Sequence, residues 1–152
     1  MPVLFLRDLS RCSAALLGAA VLLAVLALCG SHPAGAATAG APTINVFDNH
    51  GGSVGQYDRR WAKLAAENAT VRMVGPCQSA CTVLLGHIPR GHICVTPGAA
   101  FGFHLAHLPS AQATLWAAYQ PDIRSWIGAH GGLRKDFIWL RAPDIYRYFR
   151  KC

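Results

Sequence analysis

The octapeptide Gly75-Pro76-Cys77-Gln78-Ser79-Ala80-Cys81-Thr82 constrains this chain more than any other stretch. It follows Thr70-Val71-Arg72-Met73-Val74, a short β-branched run that predicts a strand closed by Gly75-Pro76. It leads into Ala80 to Leu85, whose apolar character predicts the start of a buried helix. The backbone must therefore turn from strand to helix within a few residues, with Ser79 at the turn and a cysteine on either side. At a helix N-terminus the first backbone N–H groups lack partners, and the positive end of the helix dipole favours negative charge developing nearby. Such an elbow can present a nucleophile. It also suits an ordinary N-cap, for which serine is among the commonest residues.

Two flanking segments bear on that choice. Upstream, Asp48-Asn49-His50-Gly51-Gly52-Ser53-Val54 is a glycine turn after the strand Thr43 to Phe47. Downstream, Ala99-Ala100-Phe101-Gly102-Phe103-His104 reads as a strand ending in a histidine. The order is strand, Gly-Gly turn, helix, strand, serine elbow, helix, strand, histidine. It supplies oxyanion donors, a nucleophile and a base, the parts that acyl transfer needs.

This order resembles the Clp protease proteolytic subunit and the wider ClpP/crotonase superfamily. Nearer still are small exported bacterial ClpP-like proteins in which a C-x-S-A-C elbow precedes a G-F-H strand. The likeness runs from about Ile44 to His107. It implies an α/β fold of mostly parallel strands with packed helices. It assigns Ser79 as nucleophile, His104 as general base, and the N–H groups of Gly51, Gly52 and Ala80 as the oxyanion hole. Clp-type peptidases orient the histidine with an aspartate after a pair of helices; beyond His104 the acids are Asp122, Asp136 and Asp144, and Asp144 fits best by order. Pro143-Asp144 is also an ordinary helix start. Crotonase-like relatives keep the oxyanion hole across several chemistries, so the fold does not fix the reaction.

The first 36 residues read as a secretory signal peptide. Arg7 and Arg11 make a basic start, Ala14 to Leu28 is apolar, and Ala34-Gly35-Ala36 is a small-x-small cleavage site. An uncleaved anchor is the competing reading of the apolar run and would be the chain's one membrane contact; lipid attachment at Cys29 is disfavoured by Leu28. Residues 37–42 are a linker, and residues 43–152 form one compact domain, short for a Clp-type subunit. Localisation is then periplasmic or secreted.

Cys12 and Cys29 leave with the leader, so Cys77, Cys81, Cys94 and Cys152 remain, an even number in an oxidising compartment. Four cysteines allow three pairings. The coarse topology favours Cys77–Cys81 and Cys94–Cys152, because a helix from Ser79 to His87 spans about 13 Å and separates the elbow from the strand that Cys94 begins. A Cys77–Cys81 bridge would fasten the elbow around Ser79.

His50, His87, His92, His104, His107 and His130 survive cleavage, but His104 and His107 straddle a strand end and no acidic cluster accompanies them. Neither a metal nor a cofactor is expected. The leader removes Arg7, Arg11 and Asp8, so the 14 Lys and Arg and 7 Asp and Glu of the chain become 12 and 6, a net +6. The cations are scattered, and no basic and aromatic interleaving makes a stacking platform for nucleic acid.

On the helix Gly55 to Glu67, Val54, Trp61, Leu64 and Ala65 should bury and Arg59, Arg60, Lys63 and Glu67 should face out. Helices are also expected over Gln112 to Tyr119 and Pro121 to Ala129. Trp116, Tyr119, Trp126 and Ile127 read as core or contact residues. Tyr146, Tyr148 and Phe149 are candidates for a homo-oligomer contact, since members of the superfamily commonly assemble. The expected activity is that of a serine hydrolase, a peptidase with peptide or protein as substrate. The alternative is a non-catalytic secreted module that keeps the fold and binds a partner.

Overall fold

The computed structural model describes residues 40–152. The expected signal peptide, the start of the linker and the apolar run lie outside the described residues. Among the described residues, no helix is long and apolar enough to cross a membrane.

The described chain is an α/β structure in which three strand lines run parallel, bend, and continue in a second sheet. In the first sheet, β1 (Thr43–Val46), β2 (Thr70–Met73), β4 (Ile93–Val95) and β7 (Arg150–Lys151) lie side by side in that order, every pair parallel. The second sheet holds β3 (Pro76–Gln78), β5 (Ala100–Phe103) and β6 (Ile138–Arg141), with β3 and β5 parallel and β5 and β6 antiparallel. Strand β3 continues the line of β2, and β5 continues that of β4. Register shifts by two residues across the bend: Met73 pairs with Val95 and Pro76 with Ala100, because residues 96–99 on the second line are matched by only Val74 and Gly75 on the first. The first line also continues past the bend, with its register moved by one residue: Val46 pairs with Met73, and Asn49 bridges to Cys77.

The bends have a steric origin. At Gly75 the chain passes so near Phe47 that a Cβ would sit 1.6 Å from the Phe47 carbonyl oxygen. The Val74 and Gly75 N–H groups both donate to the Val46 carbonyl, which ends regular pairing there. On the neighbouring line, Thr96-Pro97-Gly98 makes the turn, and Thr96 Oγ1 donates to the Val74 carbonyl at 2.9 Å. Thus Gly75-Pro76 closes the Thr70 strand as expected, and Cys77 stands on a separate strand, β3, rather than at the end of β2.

Helices pack against this bent surface. Helix α1 (Val54–Ala66) buries Trp61 and half-buries Val54, Leu64 and Ala65, while Arg59, Arg60, Lys63 and Glu67 are exposed. This is the face division of an amphipathic helix. After the elbow come a 3₁₀ turn (Ser79–Val83) and the short α2 (Leu84–His87). Helices α3 (Pro109–Ala118) and α4 (Pro121–Ala129) each begin with a proline, whose missing N–H costs nothing in a first turn. Tyr119, Trp126 and Ile127 are buried, with the Tyr119 ring edge-on to Phe103. Trp116 instead stays 39% exposed under the guanidinium of Arg124, because Leu115 takes the inward position on α3.

The tail departs most from expectation. After Leu133 the chain forms β6, one 3₁₀ turn (Asp144–Arg147) and β7. Phe149 is buried in the chain's own core against Phe101, with Tyr146 and Tyr148 packed half-buried beside it. Disulfides join Cys77 to Cys81 and Cys94 to Cys152, with Cα separations of 5.4 and 4.9 Å. Such bridges persist in oxidising compartments rather than in the reducing cytoplasm. The second closes a 58-residue separation and ties β7 to β4. Replacing Cys94 and Cys152 together by alanine is expected to lower stability by on the order of 2–4 kcal/mol in non-reducing urea titrations.

Candidate active site

The site grows from the ends of two paired strands. Gln78 pairs with Gly102, so the residues that follow, Ser79 after β3 and His104 after β5, emerge at one end of the second sheet. Gln78 is extended, but Ser79 takes φ of +51°, a left-handed conformation that few non-glycine residues adopt. Residues held there cost on the order of 1–3 kcal/mol and persist only where their surroundings enforce them. Here the Cys77–Cys81 bridge spans the residue, with both cysteines fully buried.

Ser79 is the first residue of the 3₁₀ turn, and Gln78 holds its N-cap position. The 3₁₀ turn has no side-chain cap. The Ser79 hydroxyl lies 2.8 Å from His104 Nε2, within hydrogen-bond reach of a base. His104 stands against the Phe137 ring, centroids 4.5 Å apart, with the His107 ring 6.2 Å away. Burial, and secondarily the neighbouring His107, hold the His104 pKa below its usual value of 6.5. At neutral pH the ring is therefore uncharged and able to accept a proton.

The glycine turn packs on the elbow. A Cβ at Gly51, which has φ of +83°, would lie 2.6 Å from the Gln78 carbonyl oxygen and 3.0 Å from the Ala80 nitrogen. The two glycines differ in what their amides do. The Gly51 N–H donates to Asn49 Oδ1 at 3.0 Å, so it holds the turn and is not free to receive an oxyanion. Gly52, also at positive φ, borders the open cleft with Ser79 and His104. Asn49 further accepts from the Tyr57 hydroxyl, and its backbone bonds to Pro76 and Gln78. The sequence carries a signal for this role of Asn49, since an asparagine two residues before a glycine can cap its own turn through its side chain.

Asp144 does not reach the histidine. Strand β6 runs antiparallel to β5, from Ile138 beside Phe103 to Arg141 beside Ala100, and so carries Asp144 towards the end of β5 remote from His104. Its carboxylate pairs with Arg147 at 3.5 Å. Asp122 is held by Arg90 at 2.6 Å. Among the described residues no carboxylate is hydrogen-bonded to His104, and what touches the ring from the β6 side is Phe137. Phe137 carries no sequence signal, because its place depends on the β5–β6 register.

The cleft beside Ser79 encloses about 490 Å³ between the start of α1, at Ser53, Val54 and Gly55, and the first turns of α3, at Ser110, Ala111 and Thr114. Ala106, His107 and Leu108 complete it, and among the described residues no carboxylate, ammonium or guanidinium group lines it. Among the described residues no group of three or more His, Cys, Asp or Glu side chains is arranged to hold a metal ion. Comparison with protein-family models and with curated proteins finds no match.

Ring-proton NMR should find His104 titrating below pH 6.5. Replacing His107 by alanine should raise that value by removing a like charge, whereas Asp144→Ala should leave it unchanged.

Proposed function

We propose that this chain is an exported serine hydrolase of ClpP/crotonase-like construction, acting as a peptidase through a Ser79–His104 dyad. The observation that carries the reading is the 2.8 Å contact between Ser79 Oγ and His104 Nε2 at a left-handed elbow bordering an open cleft. A serine hydroxyl is a weak nucleophile until a base stands ready to take its proton, and an uncharged imidazole at that distance is such a base.

In this mechanism His104 takes the proton as Ser79 Oγ attacks the scissile carbonyl carbon. The N–H groups of Gly52 and Ala80 receive the developing oxyanion. His104 then gives the proton to the leaving amine and activates a water that releases the acyl group. Gly51 supports the hole through its turn rather than as a donor. No carboxylate takes part, and the oxyanion donors and positioning carry the rate that a triad would share with its acid. A lining without carboxylate, ammonium or guanidinium groups among the described residues suits an extended peptide better than a charged metabolite. Disulfides and the leader-like N-terminus together support a periplasmic or secreted site of action.

The purified, oxidised domain should react with a fluorophosphonate probe. Ser79→Ala should abolish labelling and His104→Ala should slow it by roughly 10²-fold or more. No labelling of the folded, disulfide-bonded protein would assign the cleft to binding instead, as a non-catalytic module.

A further inference from the structure

Beneath the elbow lies a buried chain of two hydroxyls. Thr82 is completely buried and is the only buried residue of polar type among the described residues; the Tyr119 phenol beside it is 2% exposed. Thr82 Oγ1 donates to the Ser79 carbonyl oxygen at 2.6 Å, and Tyr119 Oη lies 2.8 Å from Thr82 Oγ1. Their donor roles follow from valence. A carbonyl oxygen only accepts and a threonine hydroxyl has one proton, so Thr82 gives its proton to Ser79 and accepts one from Tyr119. Burial pushes the Tyr119 phenol far above its usual range, which keeps that proton in place.

The carbonyl they hold belongs to the peptide joining Ser79 to Ala80. A trans peptide is planar, with its C=O and N–H pointing in opposite directions. Drawing the Ser79 oxygen towards Tyr119, the residue that follows α3, turns the N–H of the buried Ala80 the opposite way. Its nitrogen lies on the glycine-turn side of the elbow, 3.0 Å from where a Gly51 Cβ would stand. It also belongs to the first turn of the 3₁₀ segment, where N–H groups have no carbonyl of their own helix to bond.

We infer that Thr82 and Tyr119 are positioning residues, which fix the plane of the Ser79–Ala80 peptide and thereby aim the Ala80 N–H at the oxyanion. The inference rests on the hydrolase reading. It goes beyond it by assigning work to two side chains that never meet the substrate. Threonine commonly bonds a carbonyl one turn back without any functional role. In this elbow the acceptor is the left-handed residue that bears the reacting hydroxyl, and the bond is backed by a second hydroxyl from another helix. Donor geometry in such sites must hold to roughly 0.5 Å and 10–20°.

The test compares fluorophosphonate labelling rates of the oxidised wild type with Thr82→Val, Thr82→Ser and Tyr119→Phe. Rates are taken at a temperature where circular dichroism shows each protein fully folded, with His104 followed by NMR. Loss of a whole oxyanion donor costs about 10²–10³ in rate, so a misaimed one should cost about 10-fold. Thr82→Val is expected to label about 10-fold more slowly, Tyr119→Phe to be slowed less, and Thr82→Ser to label as the wild type does, all with the His104 titration unmoved. If Thr82→Val does not fold, a slowed Tyr119→Phe with normal His104 titration still supports the assignment. Wild-type labelling rates in both Thr82→Val and Tyr119→Phe, accompanied only by lower melting temperatures, would overturn it and leave the hydrolase reading intact. An unlabelled wild type would overturn both.

Discussion

At Gly75 the backbone leaves no room for a side chain, and the rest of the structure depends on this close approach to Phe47. A strand that went straight on from Met73 would stay in the first sheet beside Val95. Because the chain bends, it starts again at Pro76 in a second sheet, one register step after another beside Ala100, Phe101 and Gly102. That second pairing sets Ser79 and His104 at adjacent strand ends. Two residues 25 apart in sequence are thus within hydrogen-bond distance through backbone pairing, with no long-range side-chain contact required.

The elbow also combines several constraints on one residue. Ser79 is left-handed, enclosed by a buried disulfide, packed against a glycine turn on one side and bonded through its carbonyl on the other. Unfavourable backbone conformations of this kind survive where neighbours over-determine them, and they gather at functional sites. The imidazole is in the complementary condition. It is partly shielded by Phe137, and burial first and His107 second hold its pKa below the usual value, with no carboxylate hydrogen-bonded to it among the described residues.

Much of this could be read from the residues, and the exceptions share a cause. Helix α4 has the expected bounds because Pro121 marks its start, and α1, β1 and β2 are found where helical spacing and β-branched runs put them. The two cysteine pairings are those the coarse topology favours. What sequence reasoning missed is long-range register. Strand β6 returns antiparallel, which carries Asp144 away from His104 and brings Phe137 to it. Strand β7 is two residues long, too short for any period, and is fixed by its pairing to β4 and by the Cys94 bridge. Phe149 is drawn into the core by that same pairing, and Gly51 is distinguished from Gly52 only by the Asn49 side chain.

A crystal structure of the oxidised protein after reaction with a fluorophosphonate would test the central claim most directly, because the bound phosphonyl group imitates the tetrahedral intermediate. The account predicts a covalent bond to Ser79 Oγ, with the phosphonyl oxygen within hydrogen-bond distance of the Gly52 and Ala80 nitrogens and His104 Nε2 facing the adduct. An adduct on any other residue, or a phosphonyl oxygen turned to solvent with both amides unengaged, would contradict it.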